Sequence, residues 1–362
     1  MSGLIIRRLK NEDLKSFYKI WEAHFGEEKA KERLRLLPWV LKGNPFSITK
    51  DDYYVAEVDG HIAGYHGSMP YKFSIEGTDV DAQIHFDALI DPDKRGQGIF
   101  TTLLEEMDKH DKPFTIALWF NENSGRIYEK LGWRAVSNIN NYVRVYDVIP
   151  YISSKVPGFG YVLGRAANFI LNAIYWLDKR FDNSPYEHLK IEEIKALDER
   201  VDSLFHELKK QFHVIPFRTH DVLNWRYDDK PGSTYKKMIC LEGDVLRGYI
   251  IFGAKTNANG RSVVTILDFL CSPFRKDVFE SLLNGALMEI EKERPCCVEI
   301  LCSCHDFSCN LRKRLFFKTG KNDHAVKVKA PDQCDHVLDG NNWFFTYGDG
   351  DWDFWHAGRT RV

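Results

Sequence analysis

A short turn between two apolar segments has the composition of an anion-binding site. The apolar run Ile84–Ile90 predicts a strand that ends at Pro92. Apolar residues then recur at helical spacing from Ile99 to Met107. The turn between these segments contains Arg95, Gly96, Gln97 and Gly98. A strand, a glycine-rich turn and a helix start direct backbone N–H groups and a helix dipole toward one point, which suits a phosphate.

Two common phosphate-binding motifs do not account for this turn. A P-loop requires a Gly-Lys-Ser/Thr ending, and a dinucleotide-binding fingerprint requires a third glycine three residues after the second. Neither sequence follows Gly98. Taken alone, the turn is also compatible with a glycine turn that binds no ligand.

The turn resembles motif A of the Gcn5-related N-acetyltransferases (GNAT), which reads Arg/Gln-x-x-Gly-x-Gly/Ala. Arg95 and Gly98 match this motif, and Phe100 stands where the family usually has a small residue. The strand–turn–helix order around the motif is also that of the family. The resemblance covers residues 4–147.

A second segment resembles motif B of the same family, Asn-x-x-Ala-x-x-x-Tyr-x-x-Leu-Gly-Phe. Asn121 and Tyr128 match, while Ser124 replaces the alanine and Trp133 the phenylalanine. The segment follows an apolar run, residues 114–120, that predicts a buried strand. We expect a short helix here with Ser124 as its N-cap and Gly132 as its C-terminal stop.

The resemblance implies an enzyme that transfers an acyl group, most simply acetyl, from acetyl-CoA to an amine of a small molecule or peptide. The pyrophosphate would lie on the glycine turn. The backbone of Leu89 and Ile90 would bind the pantetheine arm and polarise the carbonyl, as the family's β-bulge does. The residues expected to contact coenzyme A are Leu89, Ile90, Arg95, Gly96, Gln97, Gly98, Ile99, Phe100, Asn121 and Ser124.

The resemblance also assigns catalytic roles. Tyr128 would donate a proton to the departing thiolate, since a phenol with an ordinary pKa near 10 is protonated at neutral pH. We expect His85 or Asp87, on one face of the same predicted strand, to act as the base through a water molecule. The alternative is that each of the two is a buried structural polar residue.

Other elements of the first half fit the same fold. We expect a strand at residues 4–9 and a helix capped by Asn11. A second helix, residues 27–35, would bury Leu34, Leu37 and Val40 before Pro38, Gly43 and Pro45 interrupt the chain. A hairpin turns at Asp59-Gly60, and a separate strand follows at 71–76.

The second half repeats this pattern without its chemistry. Residues 238–252 parallel the first hairpin, and residues 263–273 parallel 85–92 with Asp268 in the position of Asp87. The glycine turn is absent after Ser272, and Phe316 stands at the position of Tyr128 in this alignment of the two halves. The predicted fold is therefore α/β (α+β), with two tandem GNAT-like domains, each a mixed, mostly antiparallel sheet flanked by helices. The predicted boundaries are 1–147 for the acetyltransferase domain, 148–215 for a helical linker and 216–362 for the degenerate copy.

Two helices are predicted in the linker, at residues 161–177 and 191–211. The first has a broad apolar face, and we interpret it as a helix packed between the domains. The alternative is a helix on a membrane surface, for which Arg165, Lys179 and Arg180 supply few charges. Its polar residues make it a poor membrane span.

Bulk properties exclude several classes of protein. A net charge of −2 and the lack of a basic tract argue against nucleic-acid binding. No secretory apolar segment is evident near residue 1, so a cytoplasmic location is expected. All 8 cysteines lie at or after position 240, which argues for free thiols. We expect no metal at Cys302, Cys304, His305 and Cys309, because the paired spacing of structural sites is missing.

Aromatic and acidic residues alternate in the tail, residues 341–355. We interpret it as a final strand that buries Trp343, Phe345 and Tyr347 and exposes its acids. The alternative is that Asp349, Asp351 and Asp353 line a cleft for a cationic amine.

Two other functions are compatible with the sequence. One is an aminoacyl transferase of the peptidoglycan-bridge type, which also pairs domains of this fold. Those proteins typically lack the intact Arg-x-x-Gly turn that is present here. The other is a non-catalytic protein that binds coenzyme A as a sensor or scaffold, against which Asn121 and Tyr128 argue.

Overall fold

The computed structural model describes residues 3–118, 120–180, 186–232, 234–257, 260–319, 326–329, 335–351 and 354. Its helices are α1 Leu14–Phe25, α2 Glu27–Lys42, α3 Ile99–Met107, α4 Glu122–Lys130, α5 Ile149–Lys155, α6 Gly160–Arg180, α7 Arg200–Leu208, α8 His220–Tyr227, α9 Lys276–Lys292 and α10 His305–Lys313. Its strands are β1 Leu4–Arg8, β2 Tyr53–Val58, β3 His61–Ile75, β4 Thr78–Ile90, β5 Phe114–Ala117, β6 Arg134–Val136, β7 Asn140–Val145, β8 Leu189–Ile194, β9 Val214–Pro216, β10 Lys236–Glu242, β11 Val245–Thr256, β12 Ser262–Cys271, β13 Cys297–Cys302, β14 Phe317–Lys318 and β15 Val326–Lys329.

The first of two mixed sheets has the strand order β1-β2-β3-β4-β5-β15-β6, with β9 paired to β3. Neighbouring strands are antiparallel except for the parallel pair β4 and β5. The predicted hairpin at Asp59-Gly60 is confirmed. The separate strand predicted at 71–76 is wrong, since β3 continues through Pro70, which pairs with Gln83 of β4.

The helices before this sheet depart from the prediction in two respects. Asn11 does not cap a helix, because it begins a 3-10 turn in which Asp13 accepts a hydrogen bond from the backbone N–H of Lys10. In α2 the buried face includes Leu37 and Val40 as predicted, but Leu34 is exposed. Pro38 lies within α2 without ending it.

The second sheet has the order β8-β10-β11-β12-β13-β7-β14. It matches the first sheet strand for strand, with its parallel pair, β12 and β13, in the same position. In both sheets the strand before the last comes from the other half of the chain. Strand β15 lies between β5 and β6, and β7 lies between β13 and β14.

The chain accordingly divides into two compact units that are not continuous in sequence. The first unit is Met1–Ile139, Phe212–Ser233 and Asn322–Ala357, and the second is Asn140–Gln211, Thr234–Lys321 and Gly358–Val362. The predicted boundaries at 147/148 and 215/216 do not coincide with this division. The reason is that β9, α8, β15 and the tail pack into the first unit.

The predicted linker contains strands that its sequence did not indicate. Residues 189–194 form β8 at the edge of the second sheet, so the helix predicted at 191–211 is wrong over residues 191–199, and α7 begins at Arg200. The helix predicted at 161–177 is confirmed as α6, but most of its apolar side chains are exposed rather than packed. Within the described residues, no helix combines the length and apolar character needed to cross a membrane.

The tail does not form the predicted strand. It contains 3-10 turns at Gly340–Asn342 and Tyr347–Asp349, and Trp343 makes a single bridge to Val214. Trp343, Phe345 and Tyr347 are buried as predicted. The prediction that the acids of the tail are exposed is wrong for Asp349, which is buried and paired with Arg218. Asp353 and Trp355 lie outside the described residues.

The described cysteines are free thiols. Cys302 and Cys304 are buried, and Cys309 contacts the imidazole of His305 at 3.4 Å. In the described part of the chain, no group of three or more His, Cys, Asp or Glu side chains is placed to hold a metal ion.

Candidate active site

The predicted anion-binding turn is exposed at the end of β4. Gly96 and Gly98 each have a φ of 75°, a conformation that other residues rarely adopt. Gly98 is the N-cap of α3, whose first backbone N–H groups have no partner within the helix. A Cβ at Gly96 would meet open space, so the turn has room for a ligand. The guanidinium of Arg95 donates to Nε2 of His24 at 2.6 Å, and burial together with Arg95 lowers the pKa of His24.

The sheet opens beside this turn. Parallel pairing of β4 with β5 runs from Ala82–Phe114 to His85–Ala117, whereas β4 continues to Ile90. Strand β4 is also bulged, because Gly67 pairs with Phe86 and Tyr65 with Leu89. Two residues, Asp87 and Ala88, therefore oppose His66 alone, and Asp87 has a φ of 51°.

The bulge separates the two predicted bases. A regular strand would place residues 85 and 87 on one face, but the extra residue changes the alternation. His85 contacts Tyr128 of α4, while Asp87 contacts Arg33 of α2. The prediction that His85 and Asp87 share a face is wrong. The bulge also lies at 87–88 rather than at Leu89 and Ile90, which are regularly paired with β3.

Asp87 is a buried carboxylate with unusual surroundings. It forms an ion pair with Arg33, and its Oδ1 accepts a hydrogen bond from the hydroxyl of Tyr65 at 3.3 Å. Its backbone N–H donates to the carboxylate of Asp351 at 3.2 Å. Its Oδ2 has no hydrogen-bond partner among the described residues. Burial raises the pKa of Asp87 to about 7, against the lowering effect of Arg33.

Tyr128 lies in a buried chain of hydrogen bonds on the other face of the sheet. Its hydroxyl is 2.9 Å from Nε2 of His66 and 3.3 Å from Nδ1 of His85. Nε2 of His85 is 3.0 Å from the carboxylate of Asp111. Nδ1 of His66 is 2.9 Å from the carbonyl of Gly67. The chain therefore runs from Asp111 through His85 and Tyr128 to His66.

The acceptors at the two ends fix where the hydrogens lie. The Gly67 carbonyl can only accept, so Nδ1 of His66 donates and its Nε2 accepts from the Tyr128 hydroxyl. Burial, and then His85, lower the pKa of His66 well below its usual value, which keeps this imidazole neutral. Nε2 of His85 is the nitrogen that faces Asp111, and its Nδ1 is the one that faces Tyr128. Burial raises the pKa of Tyr128 well above 10, so the phenol stays protonated at neutral pH.

The departures from motifs A and B have visible roles. The ring of Phe100 stacks on His66 with centroids 5.7 Å apart, and Trp133 packs edge-on against Tyr128 at 4.8 Å. Asn121 rather than Ser124 is the N-cap of α4, because Ser124 N–H donates to the Asn121 side chain at 3.0 Å. Ser124 closes a capping box instead.

Three residues of this site were not predicted from the sequence: Arg33, His66 and Asp111. Asp351 was named only in the alternative in which acids of the tail line a cleft. His66 is a polar residue in an otherwise apolar predicted strand, and Arg33 precedes an apolar stretch of helix. Both patterns signal a buried polar group. Asp111 lies in an irregular segment, where spacing carries no comparable signal.

In the described residues, the second unit has neither a glycine turn like that at residues 95–98 nor a counterpart of Tyr128. No residue from Ser272 to Arg275 has a positive φ, and Arg275, just before α9, is paired with Asp277 and Glu242. The helix-end hydrogen bonds show that Phe316 matches Trp133 and that Leu311 matches Tyr128, since Phe316 N–H bonds to the Leu311 carbonyl as Trp133 N–H bonds to that of Tyr128. The predicted pairing of Phe316 with Tyr128 is wrong, although neither Leu311 nor Phe316 can donate a proton.

Comparison with known proteins agrees with this geometry. The profile of the family described as "Acetyltransferase (GNAT) domain" matches residues 5–136, which include the turn, the bulge and Tyr128. Residues 5–136 are a domain of the GNAT superfamily. An uncharacterized N-acetyltransferase of Methanocaldococcus jannaschii is 28% identical over 153 residues, which span 39% of this chain and 65% of that protein.

Solved structures share the fold over most of this protein. A GCN5-related N-acetyltransferase from Anabaena variabilis has a TM-score of 0.61 at 14% identity, covering 90% of this chain and 72% of that one. The N-myristoyltransferase of Saccharomyces cerevisiae, solved with myristoyl-CoA, has a TM-score of 0.56 at 12% identity, covering 91% of this chain and 80% of that one. At these identities the likeness concerns the fold alone.

The buried neutral His66 predicts a pH dependence of stability. A histidine whose pKa is lowered by folding stabilises the protein above its unfolded pKa near 6.5, and this contribution is lost as the pH falls toward the folded pKa. We expect His66 to contribute a slope of at most about 1.4 kcal/mol per pH unit below pH ~6.5. Urea unfolding at several pH values should therefore show a shallower acid loss for His66→Gln than for the wild type. Equal slopes would contradict the assignment.

Proposed function

We propose that this protein transfers an acyl group, most simply acetyl, from acyl-CoA directly to an amine, and that the first unit holds the active site. The observation that carries the proposal is the glycine turn beside the opened sheet, with Tyr128 buried next to it. The match of residues 5–136 to the GNAT domain family supplies the reaction class. The acceptor is a small molecule or a peptide, and the reaction takes place without a metal.

The turn and the bulge would bind coenzyme A. The pyrophosphate would lie against residues 95–98 and the start of α3, where two glycines leave the backbone accessible. The pantetheine arm would pass into the opening between β4 and β5. The backbone of the bulge at residues 87–88, rather than Leu89 and Ile90, would then polarise the thioester carbonyl.

Asp87 and Tyr128 would move the protons. Asp87 has a pKa of about 7 and a carboxylate oxygen without a partner among the described residues, which suits a base that takes a proton from the amine. Tyr128 would give its hydroxyl proton to the thiolate. His85, held by Asp111, would return a proton to the phenolate oxygen along the hydrogen bond they share.

The second unit is proposed as a degenerate copy of the first. The identical strand order supports a repeat, and the missing turn and phenol support the loss of catalysis. We therefore expect a single coenzyme A site per chain. The intact glycine turn of the first unit, residues 95–98, disfavours the aminoacyl-transferase alternative. The hydrogen-bond chain through Tyr128 disfavours a coenzyme A sensor without catalysis.

Substitution of the turn tests cofactor binding. Gly98→Glu would place a carboxylate at the proposed pyrophosphate position and strain a left-handed backbone, so we expect acetyl-CoA binding to weaken by about 10³-fold or more. Titration calorimetry measures both the affinity and the number of sites. Release of the coenzyme A thiol with a panel of amines then tests turnover in the wild type.

Two further variants separate the causes. Gly98→Ala adds the backbone strain without the charge and should weaken binding far less. Gly260→Glu makes the same substitution at a glycine of φ 72° with open space around it in the second unit, and it should bind as the wild type does. Unchanged affinity in Gly98→Glu, or two equal sites per chain, would contradict the proposed site.

A further inference from the structure

The apolar side chains exposed by this protein are concentrated in one helical hairpin. Of the seventeen large apolar side chains exposed in the described residues, eleven lie between Tyr151 and Leu177, in α5, α6 and the turn that joins them. Phe169 is 76% exposed, Ile170 60% and Trp176 57%. Scattered exposed apolar residues are normal on a protein surface, but a continuous patch of this kind marks an interaction site.

The patch is continuous because the exposed residues share one face of α6. At 3.6 residues per turn, the apolar positions from Trp176 through Phe169 and Val162 to Ile174 cover an arc of about 160°. Arg165 and Asn172 lie together at one border of this arc. The opposite face contains the buried Gly160, Gly164 and Tyr175.

The inner face is firmly held, so the outer face is a presented surface. A Cβ at Gly160 would lie 2.5 Å from Ser153 Cα, and one at Gly164 would lie 2.8 Å from Ile149 Cα. These glycines, four residues apart, let α5 and α6 approach closely. The side chain of Asn168 bonds to the Val148 N–H at 2.9 Å, and the Tyr175 hydroxyl donates to the Val145 carbonyl at 2.7 Å.

The charge of the hairpin favours a lipid surface over a protein partner or a second copy. From Ile149 to Arg180 the hairpin has four basic residues, Lys155, Arg165, Lys179 and Arg180, and one acidic residue, Asp178. Lys155 and Arg165 are exposed. Basic side chains at the border of an apolar face attract anionic headgroups while their stems lie along the apolar surface. Exposed tyrosine and tryptophan, here Tyr151, Tyr161 and Trp176, suit the boundary between headgroups and acyl chains.

We propose that the α5–α6 hairpin docks this protein on an anionic membrane surface, with the outer face of α6 in the interface. The helix lies along the surface rather than across it, because no described helix is apolar enough to span a bilayer. The inference does not depend on the proposed catalytic activity. The exposure of its apolar side chains favours the alternative in which the 161–177 helix lies on a membrane surface.

Vesicle sedimentation tests the proposal on the full chain. Vesicles of equal parts phosphatidylglycerol and phosphatidylcholine should retain the wild type. The double substitution Phe169→Ser and Ile170→Ser should reduce the partition coefficient about tenfold or more, since it removes apolar surface from the centre of the face. Arg165→Glu should reduce partitioning several-fold on these vesicles and little on phosphatidylcholine alone.

A matched control lies elsewhere in the second unit. Phe274 is 78% exposed, and Phe274→Ser should partition as the wild type does. Thermal midpoints verify that the variants fold, which is expected because the substituted side chains are exposed. Failure of the wild type to bind either vesicle overturns the proposal, as do equal partition coefficients for the double variant and Phe274→Ser. A wild-type dimer that the double variant dissociates, without vesicle binding, would assign the face to a second copy instead.

Discussion

A chain that ends at residue 150 is expected not to fold, although it contains the whole segment that matches the GNAT domain. Strand β15 lies between β5 and β6 and pairs with both. Its removal leaves β5 without a partner on that side and β6 without its partner in the first sheet. The fragment also lacks α8 and the tail, whose Trp343 and Phe345 are buried in the same unit.

The expected loss exceeds the stability of a domain. Removal of a single buried aromatic side chain costs about 3–5 kcal/mol, and a domain is stable by about 5–15 kcal/mol in total. We therefore expect the 1–150 fragment to be insoluble, or to show no cooperative thermal transition by circular dichroism. The full-length chain measured in parallel should show one.

Co-expression provides the control for this prediction. Residues 1–147 and 148–362, expressed together as two chains, retain every strand and should co-purify and bind acetyl-CoA. The exchanged strands hold them together, since β7 of the first piece pairs with β13 and β14 of the second, and β15 of the second pairs with β5 and β6 of the first. A cooperatively folded 1–150 fragment would show that the exchange is dispensable.

This exchange marks the limit of what the sequence could predict about the fold. The order of local elements in the first half followed from hydrophobic periodicity and turn residues, because those signals act over a few neighbours. Residues 326–329 read Val-Lys-Val-Lys, a pattern that fits an edge or a central position in either sheet. Which strand pairs with β5 is decided by packing across about 200 residues, which no local pattern records.

For the candidate site, too, the sequence predicted only the features that depend on residues close together in the chain. The glycine turn and Tyr128 were found because fixed spacing reports local geometry. The relation between His85 and Asp87 was not, since a bulge adds one residue to one strand and its position depends on the register with β3. The family resemblance assigned the role of the bulge to Leu89 and Ile90, because the position of the bulge cannot be seen in the sequence. Asp111 reaches the site from an irregular segment and had no sequence signal, whereas Asp351 was named only as one of several acids in the tail.

The tail shows how a buried acid escapes a pattern based on alternation. Alternating aromatic and acidic residues predicted that the acids face solvent. Asp349 is instead buried because Arg218 neutralises it and because it accepts from the Thr346 N–H at 2.7 Å. Asp351, which bonds to the backbone of Asp87, is the tail acid close to the proposed base.

Loss of the Tyr128 hydroxyl is expected to have the largest effect on catalysis. Tyr128→Phe keeps the ring contacts with Phe100 and Trp133 but removes the only group of this residue that can donate a proton. We expect kcat to fall about 10²-fold, the usual loss when a general acid is removed. The affinity for acetyl-CoA should change little, because charge develops on the sulfur only as the thiolate leaves.

The hydroxyl also has a structural role, which must be measured separately. Its removal leaves Nε2 of His66 and Nδ1 of His85 without their shared partner, at a cost of about 1–3 kcal/mol in the free energy of unfolding. Tyr53→Phe is the matched control, since Tyr53 is buried in the same unit and its hydroxyl has no hydrogen-bond partner among the described residues. We expect this control to keep both stability and kcat.

Single-turnover kinetics with saturating acetyl-CoA decide between the two roles of Tyr128. A chemical step that slows about 10²-fold while the acetyl-CoA dissociation constant stays unchanged identifies Tyr128 as the acid that protonates the thiolate. Asp111→Asn should produce a smaller loss of the same kind, because it weakens the partner that holds His85 in place. Wild-type rates in Tyr128→Phe would show that another group protonates the sulfur, and would leave the buried chain from Asp111 to His66 with a purely structural role.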